Sequence, residues 1–260
     1  MDSNQLLINK NKNIIEALAQ LSTIRDYSKL ILFVIDDENK ILGSLTDGDI
    51  RRSLLEHKDL YKKLVHICRK DFSFCYENNE YISFKALTKN NTQIIPILNK
   101  DKTLNRIIDL KKQTCVLPIE SVIMAGGRGK RLSPLTDSTP KPMLKLGDKP
   151  IIEHNIDKLN FFGIKKIHIS INYLGEKIIN HFGNGNNKNI DISYINEDKP
   201  LGTAGALSLI ENIKSDYILL MNSDLFTNIN LEKMYNKMID YEADMVIGST
   251  DYKISIPYAI

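Results

Sequence analysis

The sequence predicts an α/β protein in two parts, a repeated strand-turn-strand unit followed by a mostly parallel sheet. Three observations carry that expectation. In the first 115 residues an order of helix, strand, turn and strand recurs at a spacing of about sixty residues. From residue 116 onward, short continuous apolar runs alternate with amphipathic segments. One of those runs, Val122-Ile123-Met124-Ala125, empties into Gly126-Gly127-Arg128-Gly129.

In the first part, Ile14, Ile15, Leu18, Ala19 and Leu21 recur at helical spacing. Leu30-Ile31-Leu32-Phe33-Val34-Ile35 reads as a strand ended by the polar turn Asp36-Asp37-Glu38-Asn39-Lys40. Ile41 to Leu45 returns as a second strand, and Asp49 to Leu55 opens a second helix. The second copy has a helix over Ser83 to Thr88 and a strand over Gln93 to Leu98. The turn Asn99-Lys100-Asp101-Lys102 and a returning segment from Leu104 to Leu110 complete it. A repeat of this kind implies two units sharing one core.

Within the first copy, Gly43-Ser44-Leu45-Thr46-Asp47-Gly48-Asp49-Ile50-Arg51 resembles the signature of CBS domains. The resemblance implies a tandem CBS pair over residues 1–115 and a homo-oligomer assembled through it. It also implies an adenine nucleotide whose phosphate and ribose are held by Thr46 and Asp49. The residues alone leave a second reading open, in which Asp49 only caps its helix. In the second copy Thr103 stands where Gly43 does and Arg106 where Thr46 does, so its site is expected to be degenerate.

In the second part, strands are expected at Ser121–Ala125, Lys166–Ile171, Ile190–Ile195, Tyr217–Met221 and Met245–Gly248. Helices are expected at Ile151–Phe162, Gly175–Phe182, Thr203–Ile213 and Leu231–Tyr241. Such alternation means a mostly parallel sheet covered on both faces, with ligands at the carboxyl ends of its strands.

Composition narrows the function classes. Hydrophobic residues make up 42% of the chain, enough for ordinary cores. No apolar run approaches the roughly eighteen residues of a membrane span, and the N-terminus has no signal-peptide apolar region. The net charge of +3 is spread without the basic excess of a nucleic-acid binder. Cys68, Cys75 and Cys115 have no metal-ligand spacing and read as buried or free thiols in a reducing cytoplasm. The five histidines are scattered and read as surface or packing residues.

Three glycines in four positions let backbone N–H groups approach and cradle phosphate oxygens. Arg131 and Lys141 add positive charge to the same segment. A Walker A loop is excluded because Lys130-Arg131, with no Ser or Thr after the lysine, follows Gly129. The dinucleotide fingerprint is excluded because Leu132 stands where its third glycine belongs. From Val122 through Pro134-Leu135-Thr136 and Pro140-Lys141-Pro142 to Glu153, the segment resembles the signature of sugar-phosphate nucleotidyltransferases. Lys130, where that family usually has threonine, is its one clear departure. The resemblance implies a Rossmann-like nucleotidyltransferase domain over residues 116–260, with Ala125, Gly126, Gly127 and Gly129 on the nucleotide and Arg131 and Lys141 as catalytic cations.

Two further motifs fall at strand ends. Asn222-Ser223-Asp224 puts a carboxylate opposite the glycine loop, which suits Mg²⁺ bridging phosphate oxygens; the competing reading is a helix cap. Glu197-Asp198-Lys199-Pro200-Leu201-Gly202-Thr203-Ala204-Gly205 resembles the base-reading segment of guanylyltransferases. A carboxylate can accept from both N1–H and the 2-amino group of guanine, whereas uracil and thymine suit an amide. Glu197 in that place favours GTP, Gly202 lets the backbone approach the base, and the competing reading is an exposed turn charge.

The resemblance therefore implies transfer of a nucleotidyl group from GTP to a sugar 1-phosphate, most like mannose-1-phosphate guanylyltransferases. Fusions to a CBS pair resemble those making GDP-activated amino sugars for surface nonulosonic acids. The alternatives are a UTP- or CTP-dependent enzyme of the same class and a catalytically inactive nucleotide-sensing subunit. Family members continue well beyond this length, and the chain ends at Ile256-Pro257-Tyr258-Ala259-Ile260 where a sugar-binding strand begins. The domain is expected to be C-terminally incomplete, a fragment or a truncated gene, without the sugar pocket that turnover needs.

Overall fold

A computed structural model describes residues 3–25, 27–77, 80–87, 92–199, 201–202 and 204–250. The first copy of the repeat is β1 (Leu7–Asn9), α1 (Ile14–Thr23), β2 (Ile31–Ile35), β3 (Ile41–Thr46) and α2 (Asp47–His57). Its sheet runs β1-β2-β3, with β1 parallel and β3 antiparallel to β2. Asn13 and Glu16 start α1 by a reciprocal capping box of 3.0 and 2.9 Å.

The second copy is β4 (Cys75–Tyr76), α3 (Glu80–Leu87), β5 (Ile94–Leu98) and β6 (Leu104–Asp109), with the same strand order and directions. Both hairpins shift register at the same point, between Val34 and Ile35 and between Ile97 and Leu98. Their tips meet, the Ile41 N–H donating to the Lys102 carbonyl at 3.0 Å. β1 and β4 were not expected. At three and two residues they are too short for alternation to register.

β5 is the seam of the molecule. Successive side chains of a strand point to opposite faces. Accordingly Ile94 and Leu98 join the core of the first copy, while Ile95 and Ile97 join a larger core. That larger core continues through Cys115, Val116 and Leu117 into the second part of the chain. Tyr81 also crosses over: its hydroxyl donates to Asn236 at 2.5 Å and its ring meets Tyr235 edge-on.

The second part contains β7 (Glu120–Met124), a small hairpin of β8 (Lys145–Leu146) and β9 (Lys149–Pro150), and α4 (Ile151–Phe161). It continues through β10 (Lys166–Ile171), α5 (Gly175–Phe182), β11 (Asp191–Asn196), β12 (Ile218–Asn222) and α6 (Leu231–Asp240). Four of these strands form a wholly parallel sheet in the order β11-β10-β7-β12. Ile123, Ile167 and Ile169 are fully buried in it. α4 turns into β10 at Gly163, whose φ of +75° and closeness to the Cys115 carbonyl leave no room for a Cβ.

Two expected elements are absent. Over Thr203–Ile213 there is only a 3-10 turn at Gly205–Leu209, Thr203 itself lying outside the described residues. Gly202 and Gly205 weaken helix propensity there, and the Ser208 hydroxyl donates to the Gly205 carbonyl at 2.7 Å. The stretch Met245–Gly248 is no strand. Met245 and Ile247 are each 72% exposed, and no described strand pairs with them.

Candidate nucleotide site

β7 lies between β10 and β12, so the chain leaves the centre of the sheet in one direction and later returns on the other side. Open parallel sheets carry a crevice at this reversal, outside the carboxyl ends of their strands. A cleft of about 680 Å³ lies there.

Its floor is the glycine loop. The Ala125 N–H donates to the Ser170 carbonyl at 2.9 Å, holding the start of the loop to β10. Gly127 is exposed, and a Cβ there would meet nothing within 4 Å, so this part of the backbone faces open space. Gly129 closes the loop at φ +62°, pressed against Lys141 and Thr136. The Thr136 hydroxyl donates to the Gly129 carbonyl at 3.0 Å. A single 3-10 turn over Lys130–Leu132 follows.

One wall carries Lys141 and Asp224. The Ser223 N–H donates to the Met124 carbonyl at 3.1 Å, and the Asn155 amide donates to the Ser223 carbonyl at 3.0 Å. These bonds set Asp224 beside the loop, where Lys141 donates to its carboxylate. The other wall carries Glu197, which is only 5% exposed; it is not the exposed turn charge of the competing reading. Its carboxylate accepts from the Ser170 hydroxyl on one oxygen and from the Leu201 N–H, at 3.2 Å, on the other. A Cβ on Gly126 would lie 3.6 Å from that carboxylate, so Glu197 sits directly under the loop. Gly202 lines the same cleft in the left-handed region, at φ +81°.

Most of the sequence-derived set therefore meets in one cleft: Ala125, Gly126, Gly127, Lys141, Glu197, Gly202 and Asp224. Arg131 is exposed on the 3-10 turn and does not line it. Arg128 does, with its guanidinium 4.8 Å from the centre of the Tyr173 ring. Sequence reasoning passed over Arg128, although its place between two loop glycines was the available signal. Ser170, which orients Glu197, gave none.

Glu153, at the end of the matched segment, belongs to the scaffold. It pairs with Lys188 at 2.8 Å and His181 at 3.0 Å, tying α4 to α5 and the turn beyond it. Burial pushes its carboxyl up, but those bonds outweigh burial and hold it below the usual range.

Asp224 is a hard oxygen donor, 33% exposed and opening on the cleft. Among the described residues no group of three metal-ligating side chains exists. A Mg²⁺ ion fits such a site, because it commonly takes one or two carboxylates and fills its remaining positions with phosphate and water oxygens.

In the first copy of the repeat, Asp49 is 6% exposed and forms a full capping box with Thr46. Its carboxylate accepts from the Thr46 N–H at 2.9 Å, from the Thr46 hydroxyl at 2.6 Å and from Arg52. Asp49 also lines a cavity of about 460 Å³ together with Lys62 and Arg69.

Residues 120–258 match the sequence profile of a family described as nucleotidyl transferase, more than half of the chain. The chain belongs to that family. It is 35% identical over 133 residues to the bifunctional protein GlmU of Methanococcus maripaludis, covering 51% of this chain and 30% of that protein. To the D-glycero-alpha-D-manno-heptose 1-phosphate guanylyltransferase of Aneurinibacillus thermoaerophilus it is 33% identical over 131 residues, covering 50% and 56%. The chain thus spans between about a third and just over half of these relatives' length. Among solved structures, HddC from Yersinia pseudotuberculosis complexed with GMP-PN is 30% identical, covering 46% of this chain and 54% of that one, with a TM-score of 0.42. A CBS domain protein from Streptococcus pneumoniae is 20% identical, covering 42% and 72%, with a TM-score of 0.36. No helix among the described residues is long and apolar enough to cross a membrane.

Proposed function

We propose that the cleft binds GTP and joins its GMP part to a sugar 1-phosphate, forming a GDP-sugar and pyrophosphate. The observation that carries this reading is the Glu197 carboxylate, buried beside the glycine loop and paired with no cation among the described residues. Among the described residues each of its oxygens has one protein donor, which leaves a lone pair for each of two adjacent guanine donors. The A. thermoaerophilus relative, by its name a guanylyltransferase, supports the same choice of base.

The chemistry asks little of the protein. The phosphate oxygen of the sugar phosphate is already anionic at neutral pH and attacks the α-phosphorus in line. The new O–P bond forms as the bond to the β-phosphate oxygen breaks, and pyrophosphate leaves with that electron pair. Loop N–H groups, Lys141 and Arg128 hold the triphosphate and offset its growing charge. Asp224 would hold Mg²⁺, which supplies further neutralisation of phosphate charge when bound. Calorimetric titration of the chain with GTP, UTP, CTP and ATP in Mg²⁺ tests this. GTP is expected to bind tightest, and a preference for UTP overturns the guanine assignment.

We also propose that the first part is a CBS pair taking an adenine nucleotide at the cavity beside Thr46 and Asp49, on the support of Lys62 and Arg69 in its lining. ATP or AMP should then raise the melting temperature of the full chain without GTP, and Lys62→Ala with Arg69→Ala should remove that rise. No rise with either nucleotide leaves Asp49 as a helix cap alone.

A further inference from the structure

We propose that Ser193 is an activated nucleophile, served by His168 and Glu120, that accepts acyl groups from small activated esters. The three residues stand on adjacent strands, on the amino-terminal half of the sheet and away from the nucleotide cleft. His168 of β10 pairs with Ser193 of β11 and, on its other side, with Val122 of β7, two residues along from Glu120. Ser193 Oγ lies 2.6 Å from His168 Nδ1, and His168 Nε2 lies 2.9 Å from Glu120 Oε2. The imidazole and the carboxylate are buried, whereas Ser193 is exposed on the edge strand.

The environment of Glu120 decides the imidazole tautomer. Burial pushes its carboxyl up, but His168, the Lys214 N–H at 2.9 Å and Lys166 at 3.2 Å outweigh burial and keep it below the usual range. An anionic acceptor at Nε2 places the proton of the neutral ring on that nitrogen. The Nδ1 lone pair is then free to take the serine proton. This is the logic of a nucleophile, a base and an orienting carboxylate, with the two ring nitrogens exchanged. Nucleotidyl transfer has no use for it.

The step balances with water as its co-reactant. Ser193 Oγ attacks the ester carbonyl carbon as its proton passes to His168 Nδ1. Collapse of the adduct breaks the bond to the alcohol, which leaves with the proton returned by His168, and the acyl group stays on Oγ. A water, deprotonated in turn by His168, releases the acid and restores the serine. The open position of Ser193 suits small acyl donors.

The test is to treat the full chain with p-nitrophenyl acetate and, separately, with a fluorophosphonate, and to map adducts by peptide mass spectrometry. Ser193 should be modified on the order of 100-fold faster than Ser22 and Ser208, exposed serines whose hydroxyls donate to backbone carbonyls. Ser193→Ala should lose the fast adduct, and His168→Gln should lose it while melting with the wild type. If His168→Gln does not fold, the ratio of Ser193 labelling to that of the two reference serines in the wild type decides. Modification of Ser193 no faster than of Ser22 and Ser208, or a fast Ser193 adduct that survives in a folded His168→Gln, overturns the proposal.

Discussion

Glu120 and Glu197 are both buried acids of one sheet, 3% and 5% exposed, at opposite ends of its strands. Glu120, at the amino end, accepts from His168, from the Lys214 N–H and from Lys166, so a full positive charge stands beside it. Glu197, at the carboxyl end, has among the described residues only neutral donors, a hydroxyl and an N–H, and faces a cleft. Burying a carboxylate is costly unless its charge is met. Glu120 has that cost met inside the fold. Glu197 leaves part of it unmet, which is the condition of a group kept for a ligand's donors. The difference teaches where to look for a bound ligand: at the acid whose hydrogen bonding the described residues do not complete.

The comparison predicts its own ways of breaking. The largest effect is expected for Glu120→Gln, which removes the buried charge that Lys166 meets and turns an amide donor toward either the His168 and Lys166 donors or the Lys214 N–H. Chemical denaturation should show a loss of about 3 kcal/mol. A loss below about 1 kcal/mol would remove Glu120 from the scaffold and level the contrast. Next comes the cleft. Lys141→Ala is expected to weaken triphosphate binding by about 1.5–3 kcal/mol, through the loss of a charge-assisted contact. Arg131→Ala should weaken it far less, since Arg131 does not line the cleft. Equal losses in the two variants would show that the loop closes differently around its ligand.

Glu197→Gln is the sharpest probe of the contrast. It should leave folding within about 1 kcal/mol of wild type, yet cost GTP binding about 1–3 kcal/mol by facing a guanine donor with another donor. The GTP:UTP affinity ratio reads the effect, and a ratio that does not move makes Glu197 a second scaffold acid.

The smallest effect concerns pH. Burial raises the carboxyls of Glu153 and Asp157, but their bonds to lysines, and for Glu153 also to His181, outweigh it and hold both below their ordinary values. A carboxyl depressed in the folded state stabilises the fold above its unfolded pKa, and that stability is lost as pH falls through the folded value. Lys188→Ala, which removes a partner from both acids, should therefore cost about 1 kcal/mol at neutral pH. The difference from wild type should vanish in acid. A difference that persists at the lowest pH where the chain stays folded would assign the effect to packing.

Much of this was legible in the order of residues. The continuous apolar runs placed β2, β5, β7, β10 and β12 within a residue or so, because an isoleucine-rich segment of that length has few other ways to leave water. The glycine loop marked its strand end, since a backbone that must approach a ligand closely excludes Cβ atoms. The same reading failed over Thr203–Ile213 and Met245–Gly248. There, local apolar content met weak helix propensity in one case and no partner strand among the described residues in the other.

What the amino-acid sequence determined by itself was local: where strands begin and end, where the chain turns on glycine, and which acids stand at strand ends. Only the tertiary structure decided which of those acids is satisfied. Glu120, His168 and Ser193 are up to 73 positions apart and meet because three parallel strands lie side by side in register. Ser170 reaches Glu197 across two strands for the same reason. Arg128 rather than Arg131 lines the cleft because a 3-10 turn carries the later residue away from it. Strand pairing is a property of separations through space, and a linear order of residues holds no record of them.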